Sequence, residues 1–126
     1  MRGALLGLGI DSVDIPRFAR ILDRRPALAE RLFTPAERRY AAGLANPVPT
    51  LASRFAAKEA VMKALGVGLG AFGWEDVEVE RQEGGAPRLL VSGRAASLAA
   101  GRGVAGWYLS ITHTATVASA VVAVTA

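Results

Sequence analysis

The segment from Arg54 to Gly66 constrains the fold of this chain more than any other stretch, because it has the pattern of a helix closed by glycine. Ala, Leu, Met, Lys and Glu are good helix formers, and glycine commonly stands just past a helix end. Glu59 and Lys63 are four residues apart, so they share one face of this helix. Taken alone, the pattern is typical of a surface helix with one ordinary ion pair.

Composition indicates one folded domain, spanning residues 1–126, with few options for cofactor chemistry. The chain has 126 residues, 52% of them hydrophobic, which is enough to bury a substantial core. It contains no cysteine and one histidine, which excludes disulfides, thiolate metal sites and multi-histidine centres. Carboxylates must therefore carry any metal ion, and they favour a hard cation such as magnesium.

The N-terminal segment does not have the layout of a signal peptide. Met1 and Arg2 are followed by a short apolar run that Asp11 and Asp14 interrupt. No stretch of the sequence is long and apolar enough to span a bilayer. We therefore expect a soluble, cytoplasmic protein with no membrane partner.

Positive charge is concentrated in the first half of the chain. Residues 1–63 hold 11 of the 15 Lys and Arg residues but only 6 of the 11 Asp and Glu residues. Such a surface attracts an acidic partner. A nucleic acid ranks low among the candidates, because aromatic residues do not interleave with the basic ones and no known reading motif is present. An acidic protein fits the charge as well.

Hydrophobic patterns and turn residues predict the element order β-α-α-α-α-β-β-α-β-β. Residues 4–10 form a strand that ends at Asp11, and the glycines at positions 7 and 9 indicate close backbone approach. A long helix follows from about residue 49 or 50 to about 65. The order predicts an α+β fold in which a mainly antiparallel sheet packs on this long central helix.

Capping residues predict where three of the helices begin. Asp14 precedes Pro16, and Thr34 has Glu37 three residues later, as in a capping box. Ser92 is the predicted cap of the last helix. Four segments have β-strand character, at residues 74–80, 87–92, 106–112 and 117–124.

Three segments place chemically able residues beside apolar runs. They are G-I-D-x-V at residues 9–13, R-F-A-A-K-E-A-V-x-K-A-L-G at residues 54–66, and S-I-T-H-T at residues 110–114. In this order and spacing they resemble the holo-[acyl-carrier-protein] synthase family, the small single-domain 4′-phosphopantetheinyl transferases. The resemblance runs from about Leu6 to Val124. It implies the same α+β fold, and a homotrimer with active sites between subunits.

The resemblance also implies a reaction. The family transfers 4′-phosphopantetheine from coenzyme A to a serine of acyl carrier protein and releases 3′,5′-ADP, with Mg²⁺ as cofactor, in fatty-acid or polyketide synthesis. It implies Asp11 and Glu59 as metal ligands, with Glu59 and Lys63 as the catalytic residues. Glu59 would act as general base on the serine directly or through a water on the metal. Lys63 would reach a phosphate, or else pair with Glu59 alone.

The remaining site residues follow from the same resemblance. The implied coenzyme A contacts are Arg54, Lys58, Lys63, Gly66, Ser110, Thr112 and His113. Arg54 and Lys58 either bind the 3′-phosphate or face solvent, and His113 is either a phosphate ligand or structural. The implied contacts to acyl carrier protein are Arg17, Arg20 and Arg24, which otherwise form a solvated face. The alternative function is a non-catalytic module that binds coenzyme A or acyl carrier protein; a serine hydrolase is a poor match, since no G-x-S-x-G elbow is present.

Overall fold

The computed structural model describes residues 3–81 and 84–126, so Met1 and Arg2 lie outside it. The first half contains strand β1 and four helices: β1 (Leu5–Asp14), α1 (Ile15–Arg24), α2 (Leu28–Leu32), α3 (Pro35–Ala42) and α4 (Val48–Leu65). A 3₁₀ turn at Trp74–Asp76 leads into the second half: β2 (Val77–Arg81), β3 (Pro87–Val91), α5 (Gly93–Gly101), β4 (Gly106–His113) and β5 (Val117–Thr125). Across the two described ranges, no helix combines the length and apolarity needed to cross a membrane.

The strands form two antiparallel sheets. One is three-stranded in the order β1-β5-β4, and the other is the β2–β3 hairpin. The predicted α+β class, the antiparallel pairing and the long central helix are confirmed. The strands divide into two sheets, however, and the segment predicted as a strand from residue 74 begins with the 3₁₀ turn.

Local capping chemistry sets the start of α1 and α3, as predicted. The Asp14 carboxylate accepts a hydrogen bond from the backbone N–H of Arg17 at 3.1 Å. Thr34 and Glu37 form a reciprocal capping box at the start of α3. Ser92 occupies the predicted N-cap position of α5, but its side chain makes no capping hydrogen bond to the helix. There the Asp76 carboxylate, from the 3₁₀ turn, accepts hydrogen bonds from the first backbone N–H groups of α5.

The contact between β1 and α4 brings two backbones together. A Cβ atom at Gly9 would lie 1.9 Å from the carbonyl oxygen of Ala60, and one at Gly7 would lie 2.0 Å from that of Ala64. No side chain fits at these distances, so the close approach predicted from the two glycines is confirmed. Small alanines on α4 face the sheet, and most of the helix is buried.

Gly9→Ala is expected to destabilise the protein by about 2 kcal/mol or more, because the added methyl group must push β1 away from α4 in a packed core. Gly68→Ala is the matched control. No described heavy atom lies within 4 Å of a Cβ at Gly68, so its effect should stay below about 1 kcal/mol. Urea unfolding followed by circular dichroism measures both. Equal stability of Gly9→Ala and the unmodified chain would contradict the close approach.

Candidate active site

Asp11 lies inside β1 and not at its end, because the strand continues to Asp14. Side chains alternate between the two faces of a strand. Asp11 pairs with Ala120 of β5 and shares the face of Gly7 and Gly9, which is the face that contacts α4. Because the strand continues through Asp11, the residue keeps this alternation and its carboxylate points toward the helix.

Lys63 of α4 meets this carboxylate. Its Nζ atom lies 3.1 Å from Oδ1 of Asp11 and donates a further hydrogen bond of 2.9 Å to the carbonyl oxygen of Ile10. Lys63 therefore forms its ion pair with Asp11 of β1. The alternative predicted from the sequence, an ion pair with Glu59 alone, is wrong. An ammonium group has three donors, so one N–H of Lys63 is left for a ligand. The side chain is 54% exposed.

Glu59 stands one helical turn before Lys63 and is half-buried. Burial raises the pKa of Glu59, and the charge of Asp11 raises it further, while Lys63 acts in the opposite direction. The two carboxylates therefore lie close enough to repel each other. We call Asp11, Glu59 and Lys63 the carboxylate cluster.

The carboxylate cluster has the donor set for a hard divalent cation. Oδ2 of Asp11 is buried and has no hydrogen-bond partner among the described residues. Two carboxylates, one with an orphaned oxygen, suit Mg²⁺, which completes its shell with water and substrate phosphate. Within residues 3–81 and 84–126, no group of three or more His, Cys, Asp or Glu side chains could hold a metal without such help.

Two pockets meet at Glu59. The first has a volume of about 330 Å³, and its lining combines polar and aromatic residues of β1, α1 and α4: Ser12, Val13, Asp14, Arg17, Phe18, Ile21, Phe55 and Glu59. The second, of about 320 Å³, lies toward the glycine-rich loop and is mainly apolar: Phe55, Glu59, Met62, Lys63, Val67, Gly68, Leu69 and Trp74. Glu59 is thus reachable from both sides.

The basic residues of α1 lie next to the first pocket. Arg17, Arg20 and Arg24 are all exposed, and their spacing of three and four residues places them along one side of the helix. Arg17 lines the pocket itself.

A separate pocket gathers two arginines and the only histidine. We call it the arginine pocket; it measures about 150 Å³ and is lined by Thr50, Ser53, Arg54, Arg81, Ile111, Thr112 and His113. Of the two alternatives for Arg54, the one in which it faces solvent is wrong, because only 4% of the residue is exposed. The sequence patterns did not indicate Arg81 as a site residue. It ends β2, and no local pattern indicates that β2 comes to lie beside α4.

Two further predicted coenzyme A contacts, Ser110 and Gly66, lie elsewhere. Ser110 alternates with Leu109 and Ile111, so it lies on the face of the three-stranded sheet that points away from α4. Gly66 ends α4 with a left-handed φ of 68° and lines a cleft with Lys63 and Arg102. Neither lines the arginine pocket.

One chain does not bring all of the predicted site together. Asp11 is on β1 and His113 is on β4, and β5 lies between these strands. Their backbones are therefore about 10 Å apart or more, given two strand spacings. Among the residues that the structure describes, the arginine pocket shares none of its lining with the two pockets at Glu59.

The structure contradicts both expectations for Lys58, since it neither faces solvent nor can reach a ligand. Its side chain is fully buried, with Nζ 2.8 Å from Oε1 of Glu37. It also donates to the carbonyl oxygens of Trp74 and Val77. Burial lowers the pKa of Lys58, and Glu37 opposes that shift. Lys58 therefore ties α3, α4 and β2 together inside the fold.

Comparison with known proteins identifies the class. Residues 7–124 match the family described as the 4′-phosphopantetheinyl transferase superfamily. The chain is 50% identical over 118 residues to the holo-[acyl-carrier-protein] synthase of Streptomyces griseus, covering 94% of this chain and 96% of that protein. The chain therefore belongs to the 4′-phosphopantetheinyl transferase superfamily and, within it, to the holo-[acyl-carrier-protein] synthase family, which confirms the resemblance.

Solved structures agree with this assignment. The holo-[acyl-carrier-protein] synthase of Neisseria meningitidis superposes with a TM-score of 0.88 at 29% identity, covering 96% of this chain and 98% of that one. The enzyme of Bacillus anthracis, solved in complex with coenzyme A (3′,5′-ADP), superposes with a TM-score of 0.80 at 34% identity and 96% coverage of both chains. The fold is that of the family.

Glu59→Gln is expected to stabilise the metal-free protein at neutral pH. The pKa of Glu59 in the folded state is raised above its ordinary 4.5. Its contribution to stability is therefore full below about pH 4.5 and lost as the pH rises through the folded-state pKa. In EDTA, the variant should melt above the unmodified protein at pH 7, and the gap should narrow toward pH 4.

The control for this comparison is Glu30→Gln, an exposed position on α2, which should leave the melting temperature nearly unchanged at both pH values. A Glu59→Gln variant that melts below the unmodified protein at pH 7 would show that the charged form of Glu59 does not destabilise the folded state.

Proposed function

We propose that this protein transfers 4′-phosphopantetheine from coenzyme A to a serine of apo acyl carrier protein, giving holo acyl carrier protein and 3′,5′-ADP in the cytoplasm, for fatty-acid or polyketide synthesis. Membership of the synthase family supports the reaction. The observation that carries it is the carboxylate cluster, in which Lys63 pairs with Asp11 beside a Glu59 of raised pKa. A nucleic acid or membrane partner is not part of the proposal.

The proposed step is a displacement at the phosphorus that bears the pantetheine arm. The serine oxygen forms a bond to this phosphorus, the pyrophosphate P–O bond breaks, and 3′,5′-ADP leaves with the bonding pair. A base takes the serine proton, and a positioned carboxylate can act as that base. Glu59 is proposed to take this proton directly or through a water molecule, because burial and Asp11 raise its pKa in the free protein while a bound cation would lower it.

Lys63 is proposed to bind a phosphate oxygen of coenzyme A. Two of its three donors bind Asp11 and Ile10, which fixes the ammonium group and leaves the third N–H for the ligand. A fixed point charge next to the transferred group offsets the negative charge of the transition state. Gly66, which lines a cleft with Lys63, remains a proposed neighbour of the same phosphates.

Asp11 and Glu59 are the proposed holders of Mg²⁺, and the orphaned oxygen of Asp11 supports this assignment. When bound, the ion would neutralise charge on the phosphates of coenzyme A. The protein contributes the positions of the two carboxylates, because Asp11 is held by β1 and Glu59 by α4.

The arginine pocket is the proposed site for another phosphate of coenzyme A. Arg54 and Arg81 supply cationic donors, and Thr112 and His113 add polar groups at the same pocket. Guanidinium groups bind phosphate through paired N–H donors. Lys58 is not proposed as a ligand contact, because it is fully buried.

Acyl carrier protein is proposed to dock on α1. Arg17, Arg20 and Arg24 present a positive ridge, and the neighbouring pocket offers the partly buried aromatic side chain of Phe55 to an apolar residue of the partner. A charged ridge of this kind mainly sets the association rate and its salt dependence. The ridge also leads directly to Glu59, which shares that pocket.

A homotrimer with sites between subunits is proposed from two observations. The first is that the arginine pocket and the pockets at Glu59 are separate within one chain, whereas a second chain can place its arginine pocket beside the carboxylate cluster. The second is the outer face, the side of the three-stranded sheet away from α4, where large apolar side chains are exposed: Leu8 at 60%, Ile10 at 61% and Tyr108 at 60%. Exposed apolar patches of this kind mark association surfaces.

Ile10→Arg should convert the assembly to monomers and abolish transfer together, because a charge on the outer face opposes its burial. Light scattering after size exclusion should give three times 13.1 kDa for the unmodified protein and 13.1 kDa for the variant. Ala36→Arg, at an exposed position of α3, is the matched control and should change neither property. A monomeric unmodified protein with full activity would disprove the shared site.

The transfer itself is tested by intact-mass spectrometry of apo acyl carrier protein mixed with this protein, coenzyme A and magnesium. One phosphopantetheine group should be added in magnesium and none in EDTA. Asp11→Asn and Glu59→Gln should each slow the transfer by about 10²-fold or more, since each removes a charged ligand of the cation that would neutralise the phosphates, whereas Glu30→Gln should not. No added mass with several carrier proteins, despite coenzyme A binding, would favour the non-catalytic binding module.

A further inference from the structure

Arg54 is a charged residue in a buried position. Only 4% of the residue is exposed, and its Nε atom has no hydrogen-bond partner among the residues that the structure describes. Burial lowers the pKa of Arg54, although the carboxylate of Glu37 acts in the opposite direction. Arginine nevertheless stays charged in proteins, and a buried charge without a full set of partners is costly. The same side chain lines the arginine pocket, so an anionic ligand is the natural partner.

An aromatic ring holds this guanidinium group. The central guanidinium carbon of Arg54 lies 4.8 Å from the ring centroid of Tyr40, within the range of a cation–π interaction. Tyr40 belongs to α3 and is not among the residues that line the arginine pocket.

The ring has a rigid base. Helix α3 is anchored at its start by the capping box of Thr34 and Glu37, and Glu37 also forms the buried ion pair with Lys58 of α4. Oε2 of Glu37 accepts a further hydrogen bond of 3.0 Å from the backbone N–H of Val79. Tyr40, one turn further along α3, therefore stands at a fixed distance from Arg54 on α4.

We propose that Tyr40 is a positioning residue, whose ring holds the Arg54 guanidinium group against the wall of the arginine pocket and so sets the affinity for a phosphate group of coenzyme A. Tyr40 acts through Arg54 and does not touch the ligand. The inference rests on the proposed function, because it takes the phosphate of coenzyme A or 3′,5′-ADP as the anion. It requires the face of the ring and not the hydroxyl group.

The test compares Tyr40→Leu with Tyr40→Phe. Tyr40→Leu should raise the Kd for 3′,5′-ADP, measured by calorimetry, and the KM for coenzyme A about fivefold, while kcat stays unchanged. Tyr40→Phe keeps the ring face and should stay within about twofold of the unmodified protein on both measures. Thermal melting of each variant shows that the chain is folded. A loss in Tyr40→Phe as large as that in Tyr40→Leu would overturn the proposal.

A double-variant cycle separates positioning from a general effect on the fold. In an Arg54→Met background, Tyr40→Leu should weaken 3′,5′-ADP binding no further, because the group that Tyr40 positions is gone. The same fivefold loss in that background would also overturn the proposal. Nucleotide binding is measured without carrier protein, so a chain that binds 3′,5′-ADP as expected but transfers nothing would refute the proposed function and leave the role of Tyr40 standing.

Discussion

The backbone contact between β1 and α4 is the constraint on which the rest of the structure depends. Gly7 and Gly9 leave no room for a side chain against the carbonyl oxygens of α4, so strand and helix meet at a separation that only glycine permits. That separation puts Asp11, two residues beyond Gly9, within 3.1 Å of Lys63. A sheet packed at ordinary distance on the helix would hold the same residues too far apart to form the carboxylate cluster.

Much of this arrangement could be predicted from the sequence, because its causes are local. The glycines of β1 indicated close approach, and Asp14 and Thr34 marked helix starts through hydrogen bonds that span only three residues. The family motif predicted Asp11, Glu59 and Lys63 as a group. The predicted strand and helix boundaries agree with the structure to within a few residues, apart from β1. This strand continues to Asp14, which places Asp11 inside it.

Other features could not be predicted because they depend on contacts distant in sequence. Lys58 and Glu59 are adjacent, yet Lys58 is buried only because Glu37 and the carbonyl oxygens of the 3₁₀ turn and β2 surround it. The α5 cap comes from Asp76, 18 residues before the N–H group it accepts from. Arg81 lies at the same pocket as Arg54 for a similar reason. The register of the β2–β3 hairpin and its packing on α4 depend on tertiary contacts that local sequence does not show.

The charged side chains on α4 and beside it differ in how completely their hydrogen bonds are satisfied. Lys58 is satisfied by a carboxylate and two carbonyl oxygens, all within the fold, so its role is structural. Among the described residues, Arg54 retains an N–H without a hydrogen-bond partner and Asp11 retains an oxygen without one, and Glu59 has a raised pKa. Each of the latter three has a free-energy cost that a phosphate or a cation would offset. A ligand that offsets these costs stabilises the folded chain, so the groups that weaken the free protein are the ones that the bound protein uses.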